Sequence, residues 1–335
     1  MNDTKRPTII DVARSAGVGA STVSRHVRGG QSVSAAVAKR ISVAIAQLGY
    51  EPNTLARSLR VGHTQTLGVL FPHVNNIFFG NAIHTIQNEA RRSGFTVMLL
   101  MHQEDPNLQQ EQLASLKRSQ VDGIILVPAA GTNAAGVKNA LGNIPVVCFD
   151  RPLGSALDSV MLDNFMAGQQ STQHLLSHKH SHILSVTAPY KLYPLQSRLK
   201  GHIDAMHAAG RKVETIVWRN SEQLKHDLVL ALHRKKSPAT AILSMSYSIT
   251  IAILGALHDR GIRLSEIGFI GIDDLEFASF VNPSLTTVAQ PAEQFGRLAV
   301  EQLLKRIAGA TNAAIKVTLP GTLIFRGSCG CKRPH

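Results

Sequence analysis

The sequence predicts two structural classes in one chain, a small all-α domain followed by a two-lobed α/β core with parallel sheets. Through residue 49, apolar residues recur with the 3.6-residue period of helices. From residue 67 onward, short continuous apolar runs alternate with helical stretches, which is typical of parallel sheets covered on both faces. The rhythm changes at residues 61–66, VGHTQT, a polar and glycine-containing joint.

Three short helices account for the N-terminal region. The first has an apolar face and stops at Gly17, and a second begins near Thr22. Ser34 can cap a third helix, which Gly49 ends in the position where glycine is favoured. Because only a tight turn separates the first two helices, they form a helix-turn-helix unit.

The second of these helices has the composition of a DNA-reading surface. The stretch GVGASTVSRHV, residues 17–27, combines glycines, small hydroxyl side chains and one arginine. Its three valines would face inward, and its outward positions are Ala20, Ser21 and Arg25. Short outward side chains let a helix enter the major groove, and an arginine there can donate two parallel hydrogen bonds to guanine.

Composition and charge favour a soluble protein with an anionic partner. The 335 residues are 44% hydrophobic, enough to build real cores, and carry a net charge of +13 with a pI of about 10.0. Residues 1–62 hold nine cations and three acids, a net +6 that leaves +7 for the remainder. We expect a cytoplasmic protein, because neither a signal-peptide core nor an apolar run of about 18 residues is found.

Several motifs closely resemble those of the LacI/GalR-type (lac repressor type) transcriptional regulators. They include TIIDVARSAGVGASTVSRHV, YEPNTLARSL, LGVLFPHVNNIFF, VDGIILVP, IPVVCFDRP and IGFIGIDDLEFASFVNPSLTTVAQP. The resemblance covers essentially the whole chain. It implies an N-terminal all-α helix-turn-helix domain with a hinge helix, followed by a two-lobed α/β periplasmic-binding-protein-like core with parallel sheets. The implied boundaries are residues 1–49, 50–66 and 67–335.

The resemblance assigns roles to the second helix and the residue after it. Its DNA-binding positions are Ala20, Ser21, Thr22, Ser24, Arg25 and Arg28. The two hydroxyls at 22 and 24 would position the protein on phosphates, and the outward face would read bases. We expect Arg25 to carry most of the direct readout, at about 1–3 kcal/mol of discrimination. Arg28 stands where the family commonly has Asn and would add a cation near the DNA backbone.

Residues 50–59, YEPNTLARSL, match the family's hinge helix, which folds only on the operator. The residues implied to contact the minor groove are Asn53, Ala56, Arg57 and Leu59. Leu59 would insert between central base steps and bend the duplex. Because so short a helix is unstable alone, DNA and a second copy must order it, which predicts a homodimer on palindromic double-stranded operator DNA. A plain linker is the alternative interpretation.

Eight apolar runs predict the strands of the core. They are residues 67–71, 96–101, 123–128, 145–150, 182–187, 215–219, 240–245 and 267–273. Two series of four imply two lobes, with a ligand cleft at the carboxyl ends of the strands. The family's lobes close around a small-molecule effector, expected here to be a sugar, sugar acid or sugar phosphate.

Eight residues match the family's effector-contacting positions. They are Asn76, Phe78, Asp150, Arg198, Ser246, Tyr247, Asp273 and Gln290. Phe78 could stack on a sugar face or could belong to the core. Asp150 is placed to accept hydrogen bonds from hydroxyls, and Arg198 could bind a carboxylate or phosphate with two hydrogen bonds. An ordinary loop position is the alternative for each polar residue.

The pair Ser246-Tyr247 departs from the Asn-Asp that the family commonly has. It removes one acid from the expected pocket, which, together with the core's net charge of +7, favours an anionic effector. It also leaves an alternative open, in which the core has lost small-molecule sensing and serves dimerisation or a protein partner. No long heptad tail follows the core, so a dimer is favoured over a tetramer.

Histidines and cysteines offer two weaker candidates for a metal site. His174 and His178 lie four residues apart on an expected helix, which suits a metal, although a basic helix end is the simpler interpretation. Cys329 and Cys331 are expected in a frayed tail with free thiols, and Cys148 is the third cysteine. We therefore expect no metal and no cofactor.

The sequence as a whole predicts a sequence-specific DNA-binding regulator that is a repressor and not an enzyme. The usual phosphate-binding loops, the nucleophile elbow and the zincin motif are missing from the sequence. A transport-type solute-binding protein would share the two-lobed core, but residues 1–60 and the missing signal peptide argue against it. An effector between the lobes would change whether two hinge helices can meet on DNA.

Overall fold

The computed structural model describes residues 7–27, 33–50, 63–189 and 191–331 of the chain. Contacts divide the chain into two compact units, Met1–Thr64 and Gln65–His335. The first unit has its own small apolar core, and the second has two further clusters of buried side chains. The division falls inside the joint expected at residues 61–66.

The N-terminal unit contains the three expected helices. They are α1 (Ile9–Ala16), α2 (Ala20–Val27) and α3 (Ala35–Leu48). Their core is centred on Val12, Val23 and Ile41, none of which is exposed. Gly17 ends α1 with φ +63°, a left-handed conformation that costs glycine nothing, and Gly49 ends α3 in the same way. Ser34 precedes α3 as expected, but its side chain makes no capping hydrogen bond with the described residues.

The core unit alternates strands with helices through most of its length. The strands are β1 (Thr66–Phe71), β2 (Thr96–Met101), β3 (Gly123–Leu126), β4 (Val146–Phe149), β5 (Asp158–Leu162), β6 (Ile183–Thr187), β7 (Glu214–Val217), β8 (Ala241–Ser244), β9 (Gly268–Ile272), β10 (Thr286–Ala289), β11 (Lys316–Leu319) and β12 (Thr322–Ile324). The helices are α4 (Ile77–Arg92), α5 (Pro106–Arg118), α6 (Ala134–Leu141), α7 (Asn164–Ser177), α8 (Tyr193–Ala208), α9 (Ser221–His233), α10 (Tyr247–Asp259) and α11 (Ala292–Ile307). Short 3₁₀ helices lie at Leu264–Glu266 and Gly327–Cys329.

These strands form two six-stranded sheets, one in each lobe. The first has the order β11-β5-β4-β3-β1-β2, and the second has the order β12-β10-β9-β8-β6-β7. All eight expected strands are present, and all pairings are parallel except that of β10 with β12. The sequence prediction was incomplete, because it missed β5, β10, β11 and β12.

The chain passes between the lobes three times. It crosses from β5 into α7, from β10 into α11, and from β11 into β12. The three crossings lie side by side. Leu162 at the end of β5 pairs with Leu319 at the end of β11, and Ala289 at the end of β10 pairs with Thr322 at the start of β12. The C-terminal segment therefore returns to the second lobe.

Helices α7 and α8 approach each other at two glycines. A β-carbon on Gly168 would lie 2.0 Å from the Arg198 carbonyl oxygen, and one on Gly201 would lie 2.0 Å from the Phe165 carbonyl oxygen. Only glycine permits backbones to come this close. Arg198 of α8 is thus fixed against α7.

The described end of the chain is packed rather than frayed, so that part of the sequence prediction was wrong. Cys329 is fully buried within the 3₁₀ helix Gly327–Cys329, and Cys331 is half-buried. The Ser328 hydroxyl donates to the Phe269 carbonyl at 2.8 Å and accepts from the Thr286 amide at 2.8 Å. These bonds attach the segment to β9 and β10.

Candidate functional site

Helix α2 presents the predicted reading face. Thr8 caps the preceding helix in a capping box with Asp11, whose carboxylate accepts from the Thr8 amide at 2.9 Å. Val23 fixes α2 on the small core, and the His26 ring lies 3.1 Å from the Ser42 hydroxyl of α3. The domain core therefore sets which side of α2 faces solvent.

The exposed positions of α2 are the ones expected. Ala20, Ser21 and Arg25 are exposed, whereas Thr22 and Ser24 are half-buried beside them. Their contacts with DNA stay predictions. Five further residues predicted to bind DNA lie outside the described part of the chain, namely Arg28, Asn53, Ala56, Arg57 and Leu59.

The predicted effector residues converge where strands of both sheets end. Asn76 follows β1, Asp150 follows β4, Asp273 follows β9 and Gln290 follows β10. Arg198 reaches the same place from α8. Its Nη1 donates a hydrogen bond of 2.8 Å to the carbonyl oxygen of Met245, the residue that follows β8. Because the carboxyl ends of parallel strands form the crevice of such sheets, this is the expected position of a ligand site.

The site is deeply buried and contains opposed charges. Asp150, Arg198 and Asp273 are each 5% exposed or less. Burial lowers the pKa of the Arg198 guanidinium, and the charges of Asp150 and Asp273 act in the opposite direction. Burial raises the pKa of Asp150, while the charges of Arg151 and Arg198 oppose that rise. One arginine therefore lies between two carboxyl groups.

Asp273 connects the two lobes electrostatically. Burial raises its pKa to about 6, whereas a hydrogen bond from Gln290, the charge of Arg198 and a hydrogen bond from Asn76 lower it. Gln290 Nε2 donates to Asp273 Oδ1 at 2.7 Å. Asp273 also has φ +69°, and Asp150 has φ +65°, an uncommon conformation for a residue other than glycine. Such conformations are often found where a site demands a particular direction of the side chain.

Two buried polar atoms of this site lack a partner. Among the described residues, neither Arg198 Nε nor Gln290 Oε1 has a hydrogen-bond partner. An unsatisfied buried donor or acceptor costs about 1–3 kcal/mol, so native proteins seldom leave one without a reason. A bound molecule with hydroxyl groups would satisfy both atoms.

Sequence reasoning missed a charged pair beside the site. Arg151 donates two hydrogen bonds to the Glu104 carboxylate, at 2.8 and 2.6 Å, and one to the Pro128 carbonyl at 2.9 Å. Its Nε also lies 3.5 Å from an Asp150 carboxylate oxygen. The available signal was the position of Glu104 just beyond the end of β2. The pair holds Asp150 in place from the first lobe.

Three predicted effector residues have structural contacts. Phe78 is 4% exposed and packs on Phe149 and Phe295, with ring centroids 5.7 and 5.1 Å away, which favours its interpretation as a core residue. Ser246 caps α10 by accepting a hydrogen bond from the Ile249 amide at 3.4 Å. Tyr247 is half-buried against the core.

A separate cavity of about 490 Å³ lies at the other end of the first sheet. Pro145 and Val146 line it at the start of β4, together with Asp158 and Arg306. Those two charges already form a pair, with Arg306 Nε 2.6 Å from an Asp158 oxygen. Since it lies away from the carboxyl ends of the strands, it is not the site of the converging residues.

Two family models match this chain. The model for bacterial regulatory proteins of the lacI family matches residues 8–53. The model for periplasmic binding proteins and the sugar binding domain of the LacI family matches residues 64–324. The chain belongs to the LacI family. It is accordingly a helix-turn-helix transcription regulator and not an enzyme.

The sequences of individual LacI-family regulators match this chain over nearly its whole length. The HTH-type transcriptional regulator PtxS of Pseudomonas putida is 32% identical, over 97% of this chain and 96% of its own. The ribose operon repressor of Escherichia coli is 28% identical, over 96% of this chain and 99% of its own. The solved structure of the lac repressor dimer bound to operator and an anti-inducer has the same fold, with a TM-score of 0.85. The two sequences are 24% identical, and the match covers 97% of this chain and 99% of the lac repressor chain.

The LacI-family assignment agrees with the fold class that the sequence predicts, an all-α reading domain before a two-lobed core with parallel sheets. Among the described residues, none of the helices has the length and apolar character needed to cross a membrane. The family's expected helix-turn-helix is the unit α1–α2.

Proposed function

We propose that the protein is a homodimeric, cytoplasmic repressor that reads a palindromic DNA operator through Ala20, Ser21 and Arg25. The exposure of these three residues on one face of α2 supports this proposal most directly. Arg25 provides the only long hydrogen-bonding side chain of that face, so it carries most of the base discrimination. Half-buried Thr22 and Ser24 flank the face and contact phosphates.

A selection from random duplexes tests this reading face. The bound sequences define a consensus, and affinities for the consensus and its single-base variants are then measured at fixed salt. Arg25→Ala is expected to lower discrimination at one position by about 1–3 kcal/mol. Arg14→Ala is the matched control, because Arg14 is also an exposed arginine but lies on α1. Equal loss of discrimination in both variants, or none in Arg25→Ala, contradicts the assignment.

The core binds the effector between its lobes, and the polar residues Asn76, Asp150, Arg198, Asp273 and Gln290 form its site. Arg151 is neutralised by Glu104, which leaves two carboxyl groups against the single guanidinium of Arg198. Such a site suits hydroxyl groups, which donate to carboxylates and accept from a guanidinium. A neutral sugar therefore fits better than a sugar phosphate.

This charge balance argues against the anionic effector that the net charge of the core had favoured. The excess of cations in the core lies elsewhere, since at the site Arg198 already faces Asp150 and Asp273. Tyr247 stands where the family commonly has an acid, but Asp150 and Asp273 remain beside Arg198, so this departure does not leave the site without carboxyl groups. The effector class follows from the residues that converge, and not from the net charge.

A thermal-melt screen tests the effector site. The panel consists of neutral sugars, sugar acids, sugar phosphates and nucleobases. A ligand at 100 times its dissociation constant stabilises the folded state by about 2.7 kcal/mol and raises the melting temperature by several degrees. The shift should vanish in Asp150→Asn and persist in Asp274→Asn, because Asp274 binds Arg326 instead.

The outcomes of the screen separate the alternatives. A neutral sugar that needs Asp150 supports both the site and its charge argument. A shift caused only by a sugar phosphate contradicts the charge argument but keeps the site. If the whole panel leaves the melt unchanged while DNA binding is intact, the core serves dimerisation or a protein partner instead.

A further inference from the structure

Four metal-binding side chains meet at the end of helix α7. His174 and His178 come from α7 and its C-terminus, and Cys329 and Cys331 come from the C-terminal segment. One ligand atom of each lies within 4.8 Å of all the others. None of the four belongs to the DNA-reading face or to the interlobe site.

Three of the six separations between ligand atoms are close to those of a tetrahedral metal site. His174 Nε2 lies 3.2 Å from Cys329 Sγ and 3.4 Å from Cys331 Sγ, and His178 Nε2 lies 3.3 Å from Cys331 Sγ. Zinc bonds of about 2.3 Å to sulfur and 2.0–2.1 Å to nitrogen, at tetrahedral angles, place ligand atoms about 3.5 Å apart. Only small movements are needed to surround one ion.

Local structure explains how the two segments present these atoms. The i,i+4 spacing puts both imidazoles on one side of α7, with ring centroids 4.7 Å apart. Gly330 has φ +89°, a left-handed turn that reverses the chain between the two cysteines. The H-x3-H spacing is common in zinc proteins, whereas Cys-x-Cys is shorter than the usual arm of two or more intervening residues.

The surroundings also suit an ion held by sulfur and nitrogen. Cys329 is fully buried, and the Thr286 hydroxyl donates to its Sγ at 3.1 Å. The Phe325 ring packs against His174 with ring centroids 4.5 Å apart and 34° between the ring planes, which restricts the orientation of the imidazole. Partners of this kind hold metal ligands in position and restrict solvent.

We propose that His174, His178, Cys329 and Cys331 hold one structural zinc ion. Two thiolates and two imidazoles are a typical zinc ligand set, and four protein ligands complete a tetrahedron without a position for substrate. The ion links the C-terminal segment to α7, and the ligands that it joins are more than 150 residues apart in the sequence. It thereby stabilises the second lobe, because α7 in turn packs closely on α8 at Gly168 and Gly201.

The test uses full-length protein without a histidine tag. After dialysis, elemental analysis should find roughly one zinc per chain. Cys331→Ser and His178→Gln should each lower the affinity for added zinc at least about tenfold, since even indirect partners of a ligand matter by that factor. Cys148→Ala and His207→Gln are controls that should keep the ion, because Cys148 is buried in the first lobe and His207 is exposed on α8.

A cobalt titration of the unmodified chain provides a second readout that does not depend on folded variants. Co²⁺ should produce the intense visible absorption of a tetrahedral site and a sulfur-to-cobalt charge-transfer band, each saturating at one equivalent. Zinc should then abolish both bands. The proposal is overturned by octahedral cobalt spectra, by zinc content equal in ligand variants and controls, or by a Cys329–Cys331 disulfide in freshly isolated protein.

Discussion

Replacing Asp273 with asparagine should make the second lobe more stable, and increasingly so as the pH rises. The pKa of Asp273 is raised from 3.8 to about 6 by folding, chiefly through burial. An acid shifted in this direction binds its proton more tightly in the folded state, so stability falls as pH rises from 3.8 through 6. Asparagine removes the charge and keeps an oxygen that can accept the hydrogen bond from Gln290.

The size of the effect follows from the two pKa values. The cost of ionising Asp273 in the folded protein is about 2 kcal/mol at pH 5 and about 3 kcal/mol at pH 8. The stability gained in Asp273→Asn should therefore grow by about 1 kcal/mol over this range. The attraction between Asp273 and Arg198 lowers the pKa and is already contained in its value of about 6.

Urea denaturation at several pH values between 5 and 8, without effector, measures this difference. Trp218 is the single tryptophan and follows β7 in the same lobe, so its fluorescence reports the relevant transition. Asp274→Asn is the matched control, because the hydrogen bond from Arg326 and other contacts lower the pKa of Asp274. Its stability loss should stay constant over this range, because a carboxyl group with a lowered pKa is ionised in both the folded and the unfolded state above about pH 5. A stability gain in Asp273→Asn that is flat or declines with pH refutes the reasoning.

Four further variants test packing and capping, each by its denaturation midpoint. Gly201→Ala would place a methyl group 2.0 Å from the Phe165 carbonyl oxygen and should lower the melting temperature of the core by many degrees. Gly255→Ala on α10 is its counterpart, because the added methyl group meets nothing within 4 Å. It should stabilise the fold by about 0.5–1 kcal/mol. Ser246→Ala should cost about 1 kcal/mol yet keep the effector shift; loss of that shift would make Ser246 a ligand contact. Thr8→Ala should destabilise the N-terminal unit by about 1 kcal/mol, and an unchanged midpoint would show that its capping box contributes nothing.

Local patterns were sufficient to predict the elements whose burial is uniform. The helix ends at Gly17 and Gly49 and the eight apolar strands follow from glycine chemistry and continuous hydrophobicity, which depend on nearby residues alone. The polar residues after β4 and β9 were also predictable, because strands of one sheet end at a common edge. Asp150 and Asp273 follow strands of different sheets, and they come close because both sheets direct the carboxyl ends of their strands towards the same crevice.

Contacts distant in sequence explain what was missed. Strand β5 begins with Asp158, so its sequence lacks an apolar start. The Asp158 carboxylate accepts hydrogen bonds from Arg306, 148 residues away, and from the Ile315 amide. His174 and Cys329 are likewise separated by 155 residues. The pair His174 and His178 and the pair Cys329 and Cys331 were each recognisable in the sequence. The two pairs meet only because the C-terminal segment returns to the second lobe.

The three neighbouring crossings between the lobes limit how the core can deform. Three adjacent covalent connections resist sliding and twisting of one lobe past the other, and they leave a swing about the line of the crossings as the least costly motion. Atoms far from that line travel furthest during a swing. A molecule held by Asn76 or Asp150 on one side and Arg198 on the other would therefore convert a small gain in contact energy into a large displacement at the distant rims of the lobes.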